Sequence, residues 1–270
     1  MTDAPGAATF RSPADAYDRH VGRYADALAA EMLAVAEIAP GQRALDVGCG
    51  PGALTRALAG RLGADSVSAV DPSPPFVEAC RLRVPGADVR LGAAEALPFD
   101  GGRFERVVSQ LVVSFMADAV GGVGEMRRVA APGGLVASAV WDYADGMTLL
   151  RRFWDAALRV DPAGAPAHDE GRVMPFCTPP ELERLWRDAG LDDVATGALT
   201  VGARYADFDD LWEPFEGGVA PSGAYTASLD RRRRAALRTE LRRSRGEPAG
   251  PFALTARAWW VAGRAPRARG

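Results

Sequence analysis

The sequence contains no lysine: all 32 basic residues among its 270 are arginine. That absence excludes Schiff-base and amine-nucleophile chemistry. It also excludes the phosphate loop whose signature needs a lysine. Beside so much Ala, Gly and Arg, it reads as the codon usage of a GC-rich genome. Histidine is nearly absent, with only His20 and His168. The three cysteines, Cys49, Cys80 and Cys177, are odd in number and far apart, without a C-x-x-C pair. They suggest neither a zinc site nor a disulfide framework, and they point to a reducing, cytoplasmic setting. No His/Asp/Glu cluster has metal spacing, so no metal is expected. No apolar run approaches the ~18 residues of a membrane span. Residues 1–13 lack the basic patch and apolar run of a signal peptide. No serine or cysteine sits in a nucleophile context.

What remains is ordinary for a globular enzyme: 48% apolar and 25% charged residues, with a formal charge of −3. The length suits one sizeable domain. Residues 1–13 read as a flexible arm and 14–39 as N-terminal lid helices, closed by Pro40-Gly41. Strands and helices then alternate. Strands are expected at 43–47, 66–70, 87–91, 105–111 and 135–141, and helices at 53–62, 74–83 and 121–130. Ser73 is the expected cap of the second of these helices. This 40–145 block is read as a ligand-binding core, and 146–205 as the second half of the core. That half contains a helix at 147–158, a mobile loop at 159–175, a helix at 178–189 opened by Thr178-Pro-Pro, and a sixth strand at 193–205. Residues 206–250 read as a helical cap, with helices at 208–215 and 229–244 separated by a Gly/Pro/Ser loop. A last strand falls within 251–264. Such repetition implies right-handed β-α-β units, hence an α/β, doubly wound, mostly parallel seven-stranded sheet with helices on both faces. Ligands of such sheets bind at the carboxyl ends of the strands.

The central motif is ALDVGCGPGALT, Ala44 to Thr55. A buried strand carries an acid, Asp46, and runs into Gly48, Gly50 and Gly52 just before a helix. Glycine allows a tight turn and close approach of a ligand to the backbone. The helix start presents free N–H groups. The dinucleotide fingerprint is G-x-G-x-x-G, whereas the spacing here is G-x-G-x-G. An acid just before the glycines suits an amino group better than a pyrophosphate.

LDVGCGPG resembles motif I of the class I S-adenosylmethionine-dependent methyltransferases, in particular the small-molecule group that includes ubiquinone and menaquinone biosynthesis enzymes. Further segments are similar to that family and in its order. These are GRY at Gly22–Tyr24, VSAVDPS around Asp71, Gly92 to Gln110, and RRVAAPGG at Arg127–Gly134. The resemblance spans residues 14–145 and weakens beyond. It implies a Rossmann-like fold and S-adenosyl-L-methionine as cofactor. It also implies binding by Asp46, Gly48, Cys49, Gly50 and Gly52, with Asp71, Pro72 and Ser73 at the ribose side. Ala94 and Glu95 would stand near the adenine, and Gln110 and Leu111 at the end of the fourth strand. Tyr17, Arg23 and Tyr24 would form a lid, with Arg23 pairing the methionine carboxylate. Ala93 departs from the family, which often carries Asp there for the adenine amine. Adenine recognition would then rest on backbone and on packing by Leu97 and Pro72, with Glu95 as a substitute.

His20, beside the lid, is the one weak candidate for a catalytic base; His168 reads as an inert loop residue. Trp141, Tyr143, Trp212 and Phe215 could line an apolar acceptor pocket. The expected activity is transfer of a methyl group to a small-molecule O, N or C acceptor. Two alternatives are a non-catalytic cofactor-binding protein and an RNA methyltransferase using the Arg-rich run Asp230–Arg245. The acidic overall balance and the lack of an RNA-binding module point away from nucleic acid, and nothing points to a membrane. A nicotinamide oxidoreductase would need a different glycine spacing and a catalytic Tyr/Lys or metal set.

Overall fold

The computed structural model describes residues 18–244 and 250–267. A seven-stranded sheet forms its centre. The strands are β1 (Ala44–Val47), β2 (Val67–Asp71), β3 (Asp88–Leu91), β4 (Phe104–Gln110), β5 (Ala130–Trp141), β6 (Asp192–Tyr205) and β7 (Phe252–Arg264). Their spatial order is β3-β2-β1-β4-β5-β7-β6. β3, β2, β1, β4 and β5 pair in parallel, and β7 lies antiparallel between β5 and β6. β1 and β2 are buried along their whole length, as sheet covered on both faces requires. Strand order reverses at β1, where successive crossovers leave to opposite sides. That opens a crevice at the carboxyl ends of β1 and β4.

The helices follow the sequence closely in the first half. They are α1 (Ala25–Val35), α2 (Ala53–Leu62), α3 (Pro74–Arg83) and α4 (Ala119–Val129). α4 starts two residues before its expected place because Asp118 caps it, accepting from the Gly121 N–H at 2.9 Å. Ser73 stands at the N-cap position of α3, but its hydroxyl makes no capping bond.

The second half holds α5 (Thr148–Val160), a one-turn α6 (Glu170–Val173), α7 (Pro179–Asp188), α8 (Phe208–Glu216), α9 (Ala220–Ser228) and α10 (Arg231–Ser244). Two expectations are corrected here. Residues 159–175 are not a mobile loop. Asp169 caps α6 and is fully buried, held by two bonds from the Arg151 guanidinium at 3.0 and 2.9 Å. Next to it the Trp154 indole donates to buried Glu170 at 3.0 Å. These partners are distant in sequence, so composition alone looked like a loop. The Gly/Pro/Ser stretch in the cap is likewise a helix, α9. Pro221 sits in its first turn, where a missing N–H costs nothing. Its Gly223 packs where a Cβ would fall 2.8 Å from the Gly218 backbone.

Candidate functional site

The turn after β1 needs its glycines. Gly48 and Gly52 hold φ of 74° and 100°. A Cβ on Gly48 would stand 2.4 Å from a Val112 methyl, and one on Gly52 3.0 Å from the Cys80 sulfur. α2 begins at once and no side chain caps its first turn, so the helix N-terminus keeps free donors. The loop is anchored to β2. The Gly48 and Cys49 N–H groups donate to Val70 O at 2.7 and 3.0 Å, and the Gly50 N–H donates to the Asp71 carboxylate at 2.9 Å. A cavity of about 380 Å³ lies against this turn. Asp46, Gly48, Cys49, Gly50 and Gln110 line one side, and Gly22, Arg23 and Ala25 line the other.

Both acids of the crevice are buried. Asp46 accepts from the Thr55 hydroxyl at 2.6 Å through one oxygen, while its other oxygen is buried without a partner. Burial pushes its carboxyl up to about 7, against the Thr55 bond and with some help from Asp71. Burial raises Asp71 to about 6, although the Ser73 and Gly50 N–H groups favour its charged form. Among the described residues, five buried side-chain N or O atoms lack a hydrogen bond: Asp46 Oδ1, Ser73 Oγ, Gln110 Oε1, Trp141 Nε1 and Trp212 Nε1. Four of these residues stand at or just past the carboxyl ends of β1, β2, β4 and β5. Native interiors pair nearly all such groups, so this grouping marks a place built to receive polar atoms from outside.

Several expected contacts fall elsewhere. Arg23 lines the cavity, but its guanidinium forms a two-pronged pair with Asp210 on α8, donates to Arg204 O and covers the Tyr205 ring. A carboxylate already holds it, so a methionine carboxylate would have to compete for it. The other cavity arginines are also paired, Arg56 with Asp26 and Arg83 with Asp18. The first turn of α2 is therefore the uncommitted anion-binding group. The Tyr24 hydroxyl lies 3.1 Å from that of Tyr205, and its ring packs edge-on to Trp141. Tyr17 falls outside the described residues. His20 is 1% exposed, bonds Ser222 at 3.2 Å and meets the Phe215 ring edge-on. Burial, aided by Arg23, lowers its imidazole to about 3, so it is neutral and built into the packing between lid and cap. It does not line the cavity.

On the adenine side, Ala94 is buried, whereas Pro72 and Ala93 are exposed. Leu97 is buried in the core beneath them. Glu95 is committed to the following turn, accepting from the Ala117 N–H at 2.9 Å, which counts against its standing in for the family's acid. The Gln110 amide donates to Ala25 O at 3.0 Å, tying β4 to the lid, and leaves its oxygen free. Leu111 next to it holds a left-handed φ of 65°, a conformation that non-glycine residues rarely keep without a structural demand. Thr55 and Val112 were missed at the sequence level. Thr55 is three residues beyond the last glycine, which puts its hydroxyl on the inward face of the first turn of α2. Val112 had no comparable signal.

The four aromatic residues expected around an acceptor are all buried, and none lines the 380 Å³ cavity. Trp141 packs on Tyr24, while Trp212 and Phe215 join Phe153 in the core under the cap. Tyr143 belongs to the same cluster. The arginines of α10 are partly neutralised: Arg238 pairs with Asp209, Arg243 with Glu240, and Arg234 donates to the carbonyls of Thr226, Ala227 and Leu229.

Residues 45–138 match a family model described as a methyltransferase domain. A ubiquinone biosynthesis O-methyltransferase of Cereibacter sphaeroides is 36% identical over 161 residues, covering 57% of this chain and 62% of that protein. A malonyl-[acyl-carrier protein] O-methyltransferase of Serratia marcescens is 31% identical, covering 50% of this chain and 55% of that protein. The matches thus span about three-fifths or less of these relatives' own lengths. Among solved structures, a putative type II methyltransferase from Anaeromyxobacter dehalogenans superposes with a TM-score of 0.62 at 22% identity, covering 90% of this chain and 97% of that one. The sheet and its flanking helices thus share the fold of that structure, and residues 45–138 resemble a methyltransferase domain.

Proposed function

We propose that this chain moves a methyl group from S-adenosylmethionine to a small-molecule acceptor. The observation that carries this reading is the set of unpartnered buried atoms at the carboxyl ends of adjacent strands, gathered around a glycine turn. They fit the cofactor group by group. The free Asp46 oxygen suits an ammonium. The Asp71 carboxylate, with two of its roughly four acceptor positions used by backbone, keeps capacity for two ribose hydroxyls. The uncapped start of α2 suits a carboxylate. Gln110 offers an acceptor at the mouth of β4. The relatives named above, O-methyltransferases of ubiquinone biosynthesis and of malonyl-[acyl-carrier protein] by their printed names, support a small or carrier-bound acceptor without fixing which atom of this chain's acceptor is methylated.

The bound cofactor would supply a methyl group on a sulfonium, a carbon already activated for displacement. The protein's task is then orientation and dryness. The β1–α2 turn and Asp71 fix the adenosyl end, Asp46 and α2 fix the amino-acid end, and the lid segment 18–24 walls off water. Positioning of this kind is worth effective molarities of about 10⁵–10⁸ M. No side chain on the cavity wall is required as a base, and His20 is placed away from it.

The test is incubation of the full chain with methyl-labelled S-adenosylmethionine and a panel of phenols, carboxylic acids and amines. Labelled product from at least one acceptor, with S-adenosylhomocysteine formed in equal amount, is the expected result. Cofactor binding with no turnover across the panel would favour the non-catalytic alternative.

A further inference from the structure

We propose that Cys49 and Cys80 form an oxidisable thiol pair, a modification site at which a small peroxide closes a disulfide beneath the glycine turn. Cys49 lies in the turn itself, 6% exposed and on the cavity wall. Cys80 lies on α3, fully buried, in the same small cluster as Cys49, Ala69, Val77 and Val89. Its sulfur stands 3.5 Å from the Thr55 hydroxyl and 3.0 Å from the place a Cβ on Gly52 would occupy. The two thiols share that one small cluster, and both are free. One cysteine thus lies on the cavity wall and the other packs in the same cluster behind it. This is the arrangement of an attacked thiol beside a resolving one.

The chemistry balances with one peroxide. The Cys49 sulfur attacks one peroxide oxygen, and its proton passes to the departing hydroxide. The O–O bond breaks, one water leaves, and Cys49 carries a sulfenic acid. The Cys80 sulfur then attacks the Cys49 sulfur and the S–O bond breaks. The departing hydroxide takes the remaining thiol proton as a second water. Two electrons pass from the thiol pair to the peroxide. Closing an S–S bond of roughly 2.05 Å draws the turn toward α3. That pulls on Gly50 and Gly52, whose backbone must meet the ligand. Oxidation is thus expected to switch off the site, and occupation of the cavity to shield it. Cys177 serves as an internal control. It is buried beside Ser114, in a different cluster from the other two thiols.

The experiment treats the full chain with hydrogen peroxide and maps its peptides without reduction. A Cys49–Cys80 linked peptide, an intact Cys177 thiol and a loss of S-adenosylhomocysteine affinity of at least about tenfold, or 1.4 kcal/mol, are expected. Dithiothreitol should restore binding. In Cys80→Ser the peroxide should instead carry Cys49 on to sulfinic acid, and dithiothreitol should no longer rescue it. Absence of the linked peptide, or oxidation of Cys177 ahead of the pair, overturns the proposal. Peptide linkage is read without any ligand. A linked pair in a chain that never binds S-adenosylhomocysteine when reduced would sink the cofactor reading and leave the thiol pair standing.

Discussion

The two halves of the molecule treat buried polar groups in opposite ways. In the half built from β1 to β4, acids and amides are buried with capacity to spare: Asp46, Ser73 and Gln110 each keep an unpaired atom. In the half carrying α5 to α10, buried charge is closed on itself. Arg151 holds Asp169, Arg257 holds Asp142, Trp154 serves Glu170, and Arg23 reaches across to Asp210. Among the described residues the first pattern has missing partners, and outside it the buried atoms without a partner are the indole N–H groups of Trp141 and Trp212. The difference separates binding from support. Unpaired buried atoms cost stability unless a ligand completes them, while paired buried charges become costly only when one member is removed.

The comparison can be broken by substitutions that test each half. The largest expected effect is in the supporting half. Arg151→Ala removes the two-pronged partner of buried Asp169, leaving the longer Arg172 contact at 3.4 Å and the Gly171 N–H, and should cost up to about 3–5 kcal/mol, read as a lower denaturation midpoint. Any protein that remains folded should keep its S-adenosylhomocysteine affinity. Next is Gly48→Ala, where a left-handed φ and the Val112 methyl leave no room; both stability and ligand affinity should fall. Asp71→Ala removes charge-assisted bonds worth about 1.5–3 kcal/mol and should weaken S-adenosylhomocysteine roughly 10- to 150-fold by calorimetry, with a lower melting temperature as well, because the Gly50 and Ser73 N–H groups lose their acceptor. Unchanged affinity in Asp71→Ala would contradict the ribose assignment.

The smallest expected signal is proton release on binding, which rests on the buried acids. Asp46 and Glu170 are raised to about 7 and Asp71 to about 6. Between pH 4 and pH 7 the native state therefore holds protons that the unfolded chain has released. Stability of the ligand-free protein should fall as pH rises through this window and level off above it. A ligand ammonium at Asp46 favours the ionised form, so binding near pH 6.5 should release protons, visible as a dependence of calorimetric enthalpy on buffer. Asp46→Asn should abolish much of that release, and Glu170→Gln should leave it in place. Equal effects from the two variants would erase the distinction between the halves.

The same distinction explains what could be read from sequence. In the first half a local string, strand–acid–glycines–helix, specifies both fold and site. Asp46, Gly48 and Gly50 accordingly lie on the cavity wall, and Asp71 bonds the turn from β2. In the second half the determinants are pairs far apart along the chain, such as Arg151 with Asp169 and His20 with Ser222. So residues 159–175 resembled a loop and α9 a linker. Arg23 illustrates the limit at the boundary. Its place in GRY put it at the cavity, but its partner Asp210 lies in the cap, beyond the reach of any local pattern. The aromatic residues carried the same ambiguity, since burial in a core and lining of a closed pocket leave the same composition.

A crystal structure with S-adenosylhomocysteine bound tests the central claim most directly. The account expects Asp46 Oδ1 and Gln110 Oε1 each to gain a ligand or ligand-bound water partner within about 3.2 Å, and the ribose hydroxyls to meet Asp71. A ligand bound elsewhere, with those atoms still unpaired, would contradict it.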